Sequence, residues 1–392
     1  MINQHQLDED ERYMRRALAL ARNGLGWVNP NPMVGAVVVK NGHIIGEGWH
    51  TQCGALHAER EALAHCSEDP KGSTVYVTLE PCCHWGKTPP CTDALIEHKV
   101  SRVVIGAPDP NPLVAGKGVM LLRKAHIAVS EGVLLRECLD TNRVFFHYIQ
   151  TKLPYVVLKY AMTLDGKTAT RTGASQWITG SVARAHVHVQ RHRFSAIMVG
   201  IATVLADNPE LTSRLSACGN YLTSWKTDSA FMKDPHPGLA HANNPIRIVV
   251  DSSLRVPLQS NLVATAKEVP TLIATVSTDE KRIKALENQG CEVLVVDDDQ
   301  GKVNLKSLLV ALGNKGIDSV YAEGGATLHG TLIEEKLAQE VHAYIAPKLF
   351  GGASAPGPVG GSGVDFPDSA LITNVKHIDC LGDDIFFECE VN

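Results

Sequence analysis

The sequence predicts a two-part α/β protein, and three observations carry that expectation. The chain has 392 residues, more than one compact domain usually holds at a working figure of about 150 residues per domain. Short β-branched runs alternate with helical patterns along it, as in a sheet covered by helices on both faces. The pattern restarts around Thr151-Lys-Leu-Pro154, where Pro154 cannot continue a helix and an apolar strand begins at once. The boundary is set near residue 152, giving parts 1–152 and 153–392, each long enough to bury a core.

In the first part, Asp8 to Asn23 places Tyr13, Met14, Ala17, Leu18 and Ala21 at helical spacing, and Gly24 suits the cap. Val34 to Lys40 and His43 to Trp49 read as strands joined by Asn41-Gly42, a strong hairpin signal. Helices are expected at 57–66, 92–98 and 118–125, and one long helix at 134–148; strands are expected at 74–79, 102–106 and 127–130. In the second part, strands are expected near 155–160, 195–199, 246–251, 271–275, 292–296, 318–322, 341–346 and 384–391. Helices are expected near 181–193, 279–289, 304–313 and 326–338. Leu215 to Asn244 is a polar insertion and Gly351 to Gly363 a Gly/Pro/Ser-rich loop, and loops of this length are usually mobile or functional.

Composition narrows the function classes. The 37 Lys+Arg against 42 Asp+Glu give a net charge of −5, which argues against a nucleic-acid partner. No apolar run approaches the roughly 18–20 residues of a membrane span. The amino terminus is polar and acidic, unlike a signal peptide, so a cytoplasmic enzyme is expected. Of the ten cysteines, five lie between Cys53 and Cys91, and six of the seventeen histidines lie between His43 and His98. Such clustering points to metal or catalysis before disulfides. Cys138, Cys218, Cys291, Cys380 and Cys389 are scattered singly and expected to be buried apolar residues.

The cluster has a chemical pattern. His57-Ala58-Glu59 opens a helix, and a strand runs into Glu80-Pro81-Cys82-Cys83-His84-Trp85-Gly86-Lys87-Thr88-Pro89-Pro90-Cys91. A His-x-Glu followed by Pro-Cys and a further Cys is the signature of zinc nucleobase deaminases. One imidazole, from His57, and two thiolates, from Cys91 and one of the adjacent Cys82 and Cys83, would fill three positions of a tetrahedral zinc and leave the fourth for water. The metal lowers that water's pKa from about 15.7 to about 7, and Glu59, not a ligand, is placed to move its proton. A closed knot of Cys82, Cys83, His84 and Cys91 is the competing reading, though it leaves His57 and Glu59 idle. Between Cys82 and Cys83 the spacing alone does not choose.

The loop between the two cysteines is long, with eight residues where deaminases usually have two. In this it is similar to the bifunctional riboflavin-biosynthesis deaminase–reductase family, whose motif Glu-Pro-Cys-x-His-x-Gly-Arg/Lys-Thr-Pro-Pro-Cys is matched at residues 80–91. Asn29-Pro-Asn-Pro32 and Asp109-Pro-Asn-Pro112 resemble the same family, while Cys83 stands where a cysteine is unusual. The resemblance selects Cys82 and implies a cytidine-deaminase-like three-layer first domain. It implies 2,5-diamino-6-(5-phosphoribosylamino)pyrimidin-4(3H)-one as substrate, losing its 2-amino group. By position, Asn31 and His50 would contact the pyrimidine, and His84 and Lys87 the ribose phosphate. The bland alternatives are a turn Asn, a strand-end His and a solvated Lys.

The second part has no Gly-x-Gly-x-x-Gly after a strand, so an ordinary dinucleotide site is absent. It has Ser319 to Leu328, a strand, Gly324-Gly325 and a helix, a weak phosphate signal by itself. Lys159 to Lys167, Ser175 to Thr179 and Thr203 to Arg214 resemble the reductase half of the same family. That resemblance implies a dihydrofolate-reductase-like α/β domain using NADPH. Carried over, Ala161, Trp177, Thr203, Asp207, Ser252 and the run Gly325, Ala326, Thr327, Leu328, His329, Gly330 and Thr331 would hold NADPH. Ser175, Arg191, Leu211, Arg214 and Glu323 would hold the phosphoribosyl substrate. Arg191 is otherwise an ordinary solvated helix residue, and Trp177 and Leu211 otherwise core residues. Whether Lys159 or Asp165 transfers a proton stays open. A homo-oligomer acting on a small molecule is expected.

Overall fold

The computed structural model describes residues 4–86, 88–215 and 243–392. They fall into two compact units that divide between Thr151 and Lys152.

The first unit is built on β1 (Gly35–Lys40), β2 (His43–Trp49), β3 (Thr74–Leu79), β4 (Arg102–Ala107) and β5 (Ala128–Glu131), in the order β2-β1-β3-β4-β5. β1 is antiparallel to β2 and β3, whereas β3, β4 and β5 run parallel. Asn41 and Gly42 both take positive φ, 52° and 76°, the backbone a two-residue primed turn requires. Small residues bring helices onto both faces. A Cβ at Gly35 would lie 2.0 Å from the Ala17 carbonyl oxygen, so the helix Gln4–Ala21 rests there. One at Gly48, paired with Ala36 on the opposite face, would lie 2.3 Å from the Ala62 nitrogen, in the helix Ala58–Ala64. The result is a three-layer stack around Val37, Val38, Val75, Val77, Val103 and Val104, all fully buried.

The long helix expected at 134–148 is two helices, Leu135–Thr141 and Arg143–Thr151. Asn142, at the break, is buried; its Oδ1 accepts from the Met33 N–H at 2.8 Å and its Nδ2 donates to the Met33 carbonyl at 2.9 Å. That tertiary pair competes with helix continuation.

The second unit holds β6 (Tyr155–Thr163), β7 (Ala196–Gly200), β8 (Ile246–Val250), β9 (Thr271–Thr275), β10 (Glu292–Val295), β11 (Asp298–Asp299), β12 (Lys302–Val303), β13 (Ser319–Ala322), β14 (Glu340–Ala346), β15 (Thr373–Leu381) and β16 (Asp384–Val391). The main sheet runs β10-β9-β8-β7-β13-β6-β14-β16-β15. From β10 to β14 neighbours are parallel; β16 and β15 return antiparallel. β13 sits between β6 and β7, so the strand order reverses there. A crevice outside the carboxyl ends of such strands is where α/β sheets bind ligands.

β15 was not expected, and neither was the short helix Ile201–Asp207. β15 is exposed along nearly its whole length, so it carries no alternation to read. Of the scattered cysteines, Cys138, Cys291 and Cys389 are buried as expected, Cys380 is exposed, and Cys218 lies outside the described residues. Cys380 is exposed because it belongs to that uncovered strand.

Candidate active sites

In the first unit the chain brings a metal-ligating trio together at two helix starts. His57 precedes the helix Ala58–Ala64 in extended conformation and makes no capping bond, which leaves its ring free. Cys82 follows β3, and Cys91 opens the helix Cys91–Glu97. His57 Nδ1 lies 3.4 Å from Cys82 Sγ and 3.4 Å from Cys91 Sγ. The three donor atoms all lie within 4.8 Å of one another. Tetrahedral zinc bonded at about 2.3 Å to sulfur and 2.0–2.1 Å to nitrogen would separate those atoms by roughly 3.6 Å. The donor set and its spacing therefore fit zinc. Thr88 Oγ1 lies 3.4 Å from His57 Nε2; if Nε2 carries the proton, Nδ1 keeps its lone pair toward the sulfurs. Cys83 instead turns its thiol to the Leu113 carbonyl, 3.6 Å away, so the four-ligand knot is not assembled.

Glu59 is buried, and it lines a cavity of about 260 Å³ together with Asn31, His50, His57, Cys82 and His84. Burial pushes its carboxyl up, the nearby Cys82 sulfur adds to this, and His57 opposes it. His50 Nδ1 faces the Leu56 carbonyl at 2.9 Å and must donate to it. Its Nε2 then accepts from Asn31 Nδ2 at 3.1 Å. Burial holds the ring neutral by lowering its pKa. Asn31 and His50 are thus one hydrogen-bonded unit on the cavity wall. His84 Nδ1 is buried without a hydrogen-bond partner among the described residues, and His84 lines the same cavity. Lys87 lies outside the described residues.

Three further residues matter here that the sequence did not single out. Arg60 donates from Nε to the Pro89 carbonyl (3.1 Å) and from Nη2 to the Pro90 carbonyl (2.7 Å), fixing the turn before Cys91. Glu80 is buried and accepts the backbone N–H groups of Asp109, Gly116 and Val119 at 3.4, 3.0 and 3.2 Å. It ties the Asp109–Gly116 loop to the cysteine loop. Asp109, whose motif was noted but given no role, lines the cavity, and burial pushes its carboxyl up to about 6.

In the second unit Glu323 follows β13, Thr203 and Asp207 lie in the helix after β7, and Ser252 follows β8. Glu323 is clamped by Arg191, with Nε to Oε1 at 2.7 Å and Nη2 to Oε2 at 2.8 Å, and Lys159 Nζ lies 3.7 Å from Oε2. Burial opposes the Glu323 charge, but Arg191 and Lys159 outweigh it and hold the carboxyl below its usual value. Arg191 is therefore no solvated helix residue. Its Nη1 donates to the Thr212 carbonyl at 3.1 Å, while Arg214 Nη1 reaches Thr212 Oγ1 at 2.9 Å. The two arginines converge on one residue. Ser175 Oγ donates to Asp207 at 3.1 Å. Ala161 lies in β6 and Thr203 in the first turn of the helix Ile201–Asp207, beside Gly324 and Gly325.

Other expected contacts are placed differently. Trp177 is 64% exposed with the Arg184 guanidinium 4.6 Å above its ring, so it is not a core residue. Leu211 is buried among Ile197, Val199 and Val249, and its side chain is spent on packing. Ser252 receives the Val303 N–H on its hydroxyl at 3.1 Å. In the run Gly325 to Thr331, Leu328, His329 and Gly330 are turned inward, since one face of the helix Ala326–Glu334 must bury. Gly325, Ala326, Thr327 and Thr331 keep exposure. Asp165 accepts the N–H groups of Phe350 (3.2 Å) and Gly351 (2.7 Å), so it fastens a loop.

Two family models match the chain: the RibD C-terminal domain over residues 154–386, and the cytidine and deoxycytidylate deaminase zinc-binding region over residues 7–107. The riboflavin biosynthesis protein RibD of Actinobacillus pleuropneumoniae is 51% identical over 379 residues, 97% of this chain and 94% of that protein. The chain belongs to the RibD family. RibD of Escherichia coli (strain K12) is 42% identical over 343 residues, 88% of this chain and 89% of that protein. Among solved structures, Acinetobacter baumannii RibD (form 1) superposes with a TM-score of 0.84 at 34% identity, covering 98% of this chain and 99% of that one. The Thermotoga maritima diaminohydroxyphosphoribosylaminopyrimidine deaminase/5-amino-6-(5-phosphoribosylamino)uracil reductase gives 0.83 at 35% identity, with 99% and 100% covered.

The fold is accordingly a cytidine-deaminase-like unit followed by the RibD reductase unit, as the sequence led one to expect. This RibD-family chain is a bifunctional enzyme of riboflavin biosynthesis, a deaminase and a reductase. Its deaminase half matches the zinc-binding region of cytidine and deoxycytidylate deaminases, and its reductase half matches the RibD C-terminal domain. Among the described residues no helix is long and apolar enough to cross a membrane.

Proposed function

We propose that residues 1–152 deaminate 2,5-diamino-6-(5-phosphoribosylamino)pyrimidin-4(3H)-one and that residues 153–392 reduce the product to 5-amino-6-(5-phosphoribitylamino)uracil. The observation that carries the reading is the trio His57, Cys82 and Cys91, with His57, Cys82 and buried Glu59 on the wall of one cavity. Those three residues would hold zinc, which supplies Lewis acidity toward a water at its open position. Glu59 would take that water's proton and return it to the ring and the departing amine, the work of a general acid–base. His50 and Asn31 would orient the pyrimidine through their shared hydrogen bond, and His84 and Lys87 would meet the phosphoribosyl end. The Thermotoga protein, named for this chemistry, supports the substrate.

In the reductase half NADPH would supply the hydride, the hard step being the cofactor's own. Gly325, Ala326, Thr327 and Thr331, with Ala161, Thr203 and Asp207, would hold it at the carboxyl ends of the strands. Trp177 and Ser252 would flank it, and Leu328, His329 and Gly330 would support the turn from beneath. Arg191, Arg214, Ser175 and Glu323 would hold the phosphoribosyl chain, with Leu211 offering its backbone. Deamination precedes reduction, because the reductase substrate is the deaminated ring. We place the enzyme in the cytoplasm as a homo-oligomer with no nucleic-acid partner, consistent with its charge of −5.

The test is a product assay with the synthetic diaminopyrimidine, read by mass spectrometry. Without NADPH the substrate loses one amine; with NADPH the product also gains two hydrogens. No ammonia release, or NADPH consumption without prior deamination, would overturn the assignment.

A further inference from the structure

His329 sits in the expected cofactor run, yet it is 1% exposed. Its ring joins two segments that the sequence left separate, the Gly324-Gly325 turn and the Gly-rich strap of residues 351–363. Nδ1 lies 3.0 Å from the Pro358 carbonyl, and Nε2 lies 3.2 Å from the Gly324 nitrogen and 3.1 Å from the Ala322 carbonyl. A carbonyl only accepts, so one tautomer satisfies two partners: Nδ1–H donates to Pro358, and Nε2 accepts the Gly324 N–H. The other tautomer satisfies Ala322 alone. Burial lowers the pKa of His329 and keeps the ring neutral, as this arrangement needs.

The turn it holds is demanding. Gly324 and Gly325 have φ of 122° and 95°, where a side chain would be strained. The strap is in backbone contact with the helix Ala326–Glu334. Gly360 N donates to the Ala326 carbonyl at 2.8 Å, and a Cβ at Gly330 would lie 2.4 Å from the Gly360 carbonyl oxygen. Farther along, the Ser362 N–H and hydroxyl both meet Glu334 Oε1 at 3.0 Å. The His329 side chain bonds both the turn, at Gly324, and the strap, at Pro358.

We propose that His329 is a positioning residue of the reductase, clamping the Gly324-Gly325 turn to the 351–363 strap so that the turn is presented to NADPH in one conformation. It does not itself touch the cofactor. This inference rests on the reading that the Gly325–Thr331 turn holds NADPH, and the experiment separates the two.

Full-length wild type and the variants His329→Leu, His329→Gln and His329→Asn are compared by NADPH fluorescence titration and by amide hydrogen exchange at Gly324 and Gly360 without cofactor. Gln can present an acceptor near the Nε2 position, and Asn a donor near the Nδ1 position. His329→Leu should weaken NADPH binding about tenfold, the scale of one lost buried hydrogen bond, and speed exchange at both amides. KM for NADPH should rise more than kcat falls. His329→Gln should restore protection at Gly324 and binding to within about threefold, leaving Gly360 fast; His329→Asn should do the reverse. Wild-type affinity and exchange in His329→Leu would overturn the inference. If that variant does not fold, identical profiles for Gln and Asn would overturn it instead. If wild type binds no NADPH, the cofactor reading fails, while the exchange data still judge the clamp.

Discussion

Arg191, in the helix Ser181–Arg193, meets both oxygens of Glu323, 132 positions away in sequence, and both side chains are largely withdrawn from water. A carboxylate out of water is costly unless its charge is matched, and among the described residues Lys159 Nζ, at 3.7 Å from Oε2, is the other cation paired with it. The clamp thus fixes Glu323 before any substrate arrives.

Removing one partner should therefore cost far more than removing both. Arg191→Met is expected to lose about 3–5 kcal/mol of stability by urea unfolding, the scale seen when one partner of a buried pair is deleted. Arg191→Met combined with Glu323→Leu should recover most of it. Equal losses in the single and double variants would mean that Lys159 already accommodates the charge.

Arg60 gives a prediction about metal retention. Its two bonds to the Pro89 and Pro90 carbonyls set the approach to Cys91 without touching the ligands. Groups that orient ligands from behind usually carry about 10–100-fold in metal affinity. Arg60→Leu should weaken zinc binding by about that factor in chelator competition, with the melting temperature little changed. Unaltered affinity would make Arg60 a loop contact and no more.

Glu59→Gln keeps the size of the side chain and removes its ability to carry a proton. Zinc should stay at about one per chain by metal analysis, while ammonia release should fall about 10²–10⁴-fold, the usual share of general acid–base catalysis. Deamination retained in this variant would remove Glu59 from the chemistry.

What could be read in advance follows from how far each interaction reaches. His57, Glu59, Cys82 and Cys91 were legible because the site draws them from two short segments, one opening a helix and one leaving a strand. The roles of Arg60 and Glu80 were not, although Arg60 adjoins a motif residue and Glu80 opens the motif at 80–91. Their partners are backbone groups 29 and 36 positions away, and no local pattern announces such a bond. The same holds for Asn142, whose bond to Met33 breaks a helix that periodicity extends without interruption. The parallel strands were found because burial on both faces leaves dense apolar runs. β15 was missed because neither of its faces is covered. The inward turn of Leu328, His329 and Gly330 needed the sheet beneath them to be seen.

His186 gives a prediction in pH. It lies in the helix Ser181–Arg193, 4% exposed, with Gln190 Nε2 at 3.0 Å from its Nε2 and the Tyr344 hydroxyl at 2.9 Å from Nδ1. Burial, then the neighbouring His342 and Arg193, push its pKa down to about 3. The unfolded chain binds a proton here near pH 6.5 and the folded chain does not, so stability must rise with pH across this interval. The contribution is complete above about pH 6.5 and is lost as the pH falls toward about 3. One such group accounts for up to about 1.4 kcal/mol per pH unit. Between about pH 7 and about pH 5, wild type should lose stability to urea more steeply than His186→Gln, which carries no titrating ring. Parallel losses in the two proteins would mean that His186 takes up its proton in the folded state at an ordinary pH.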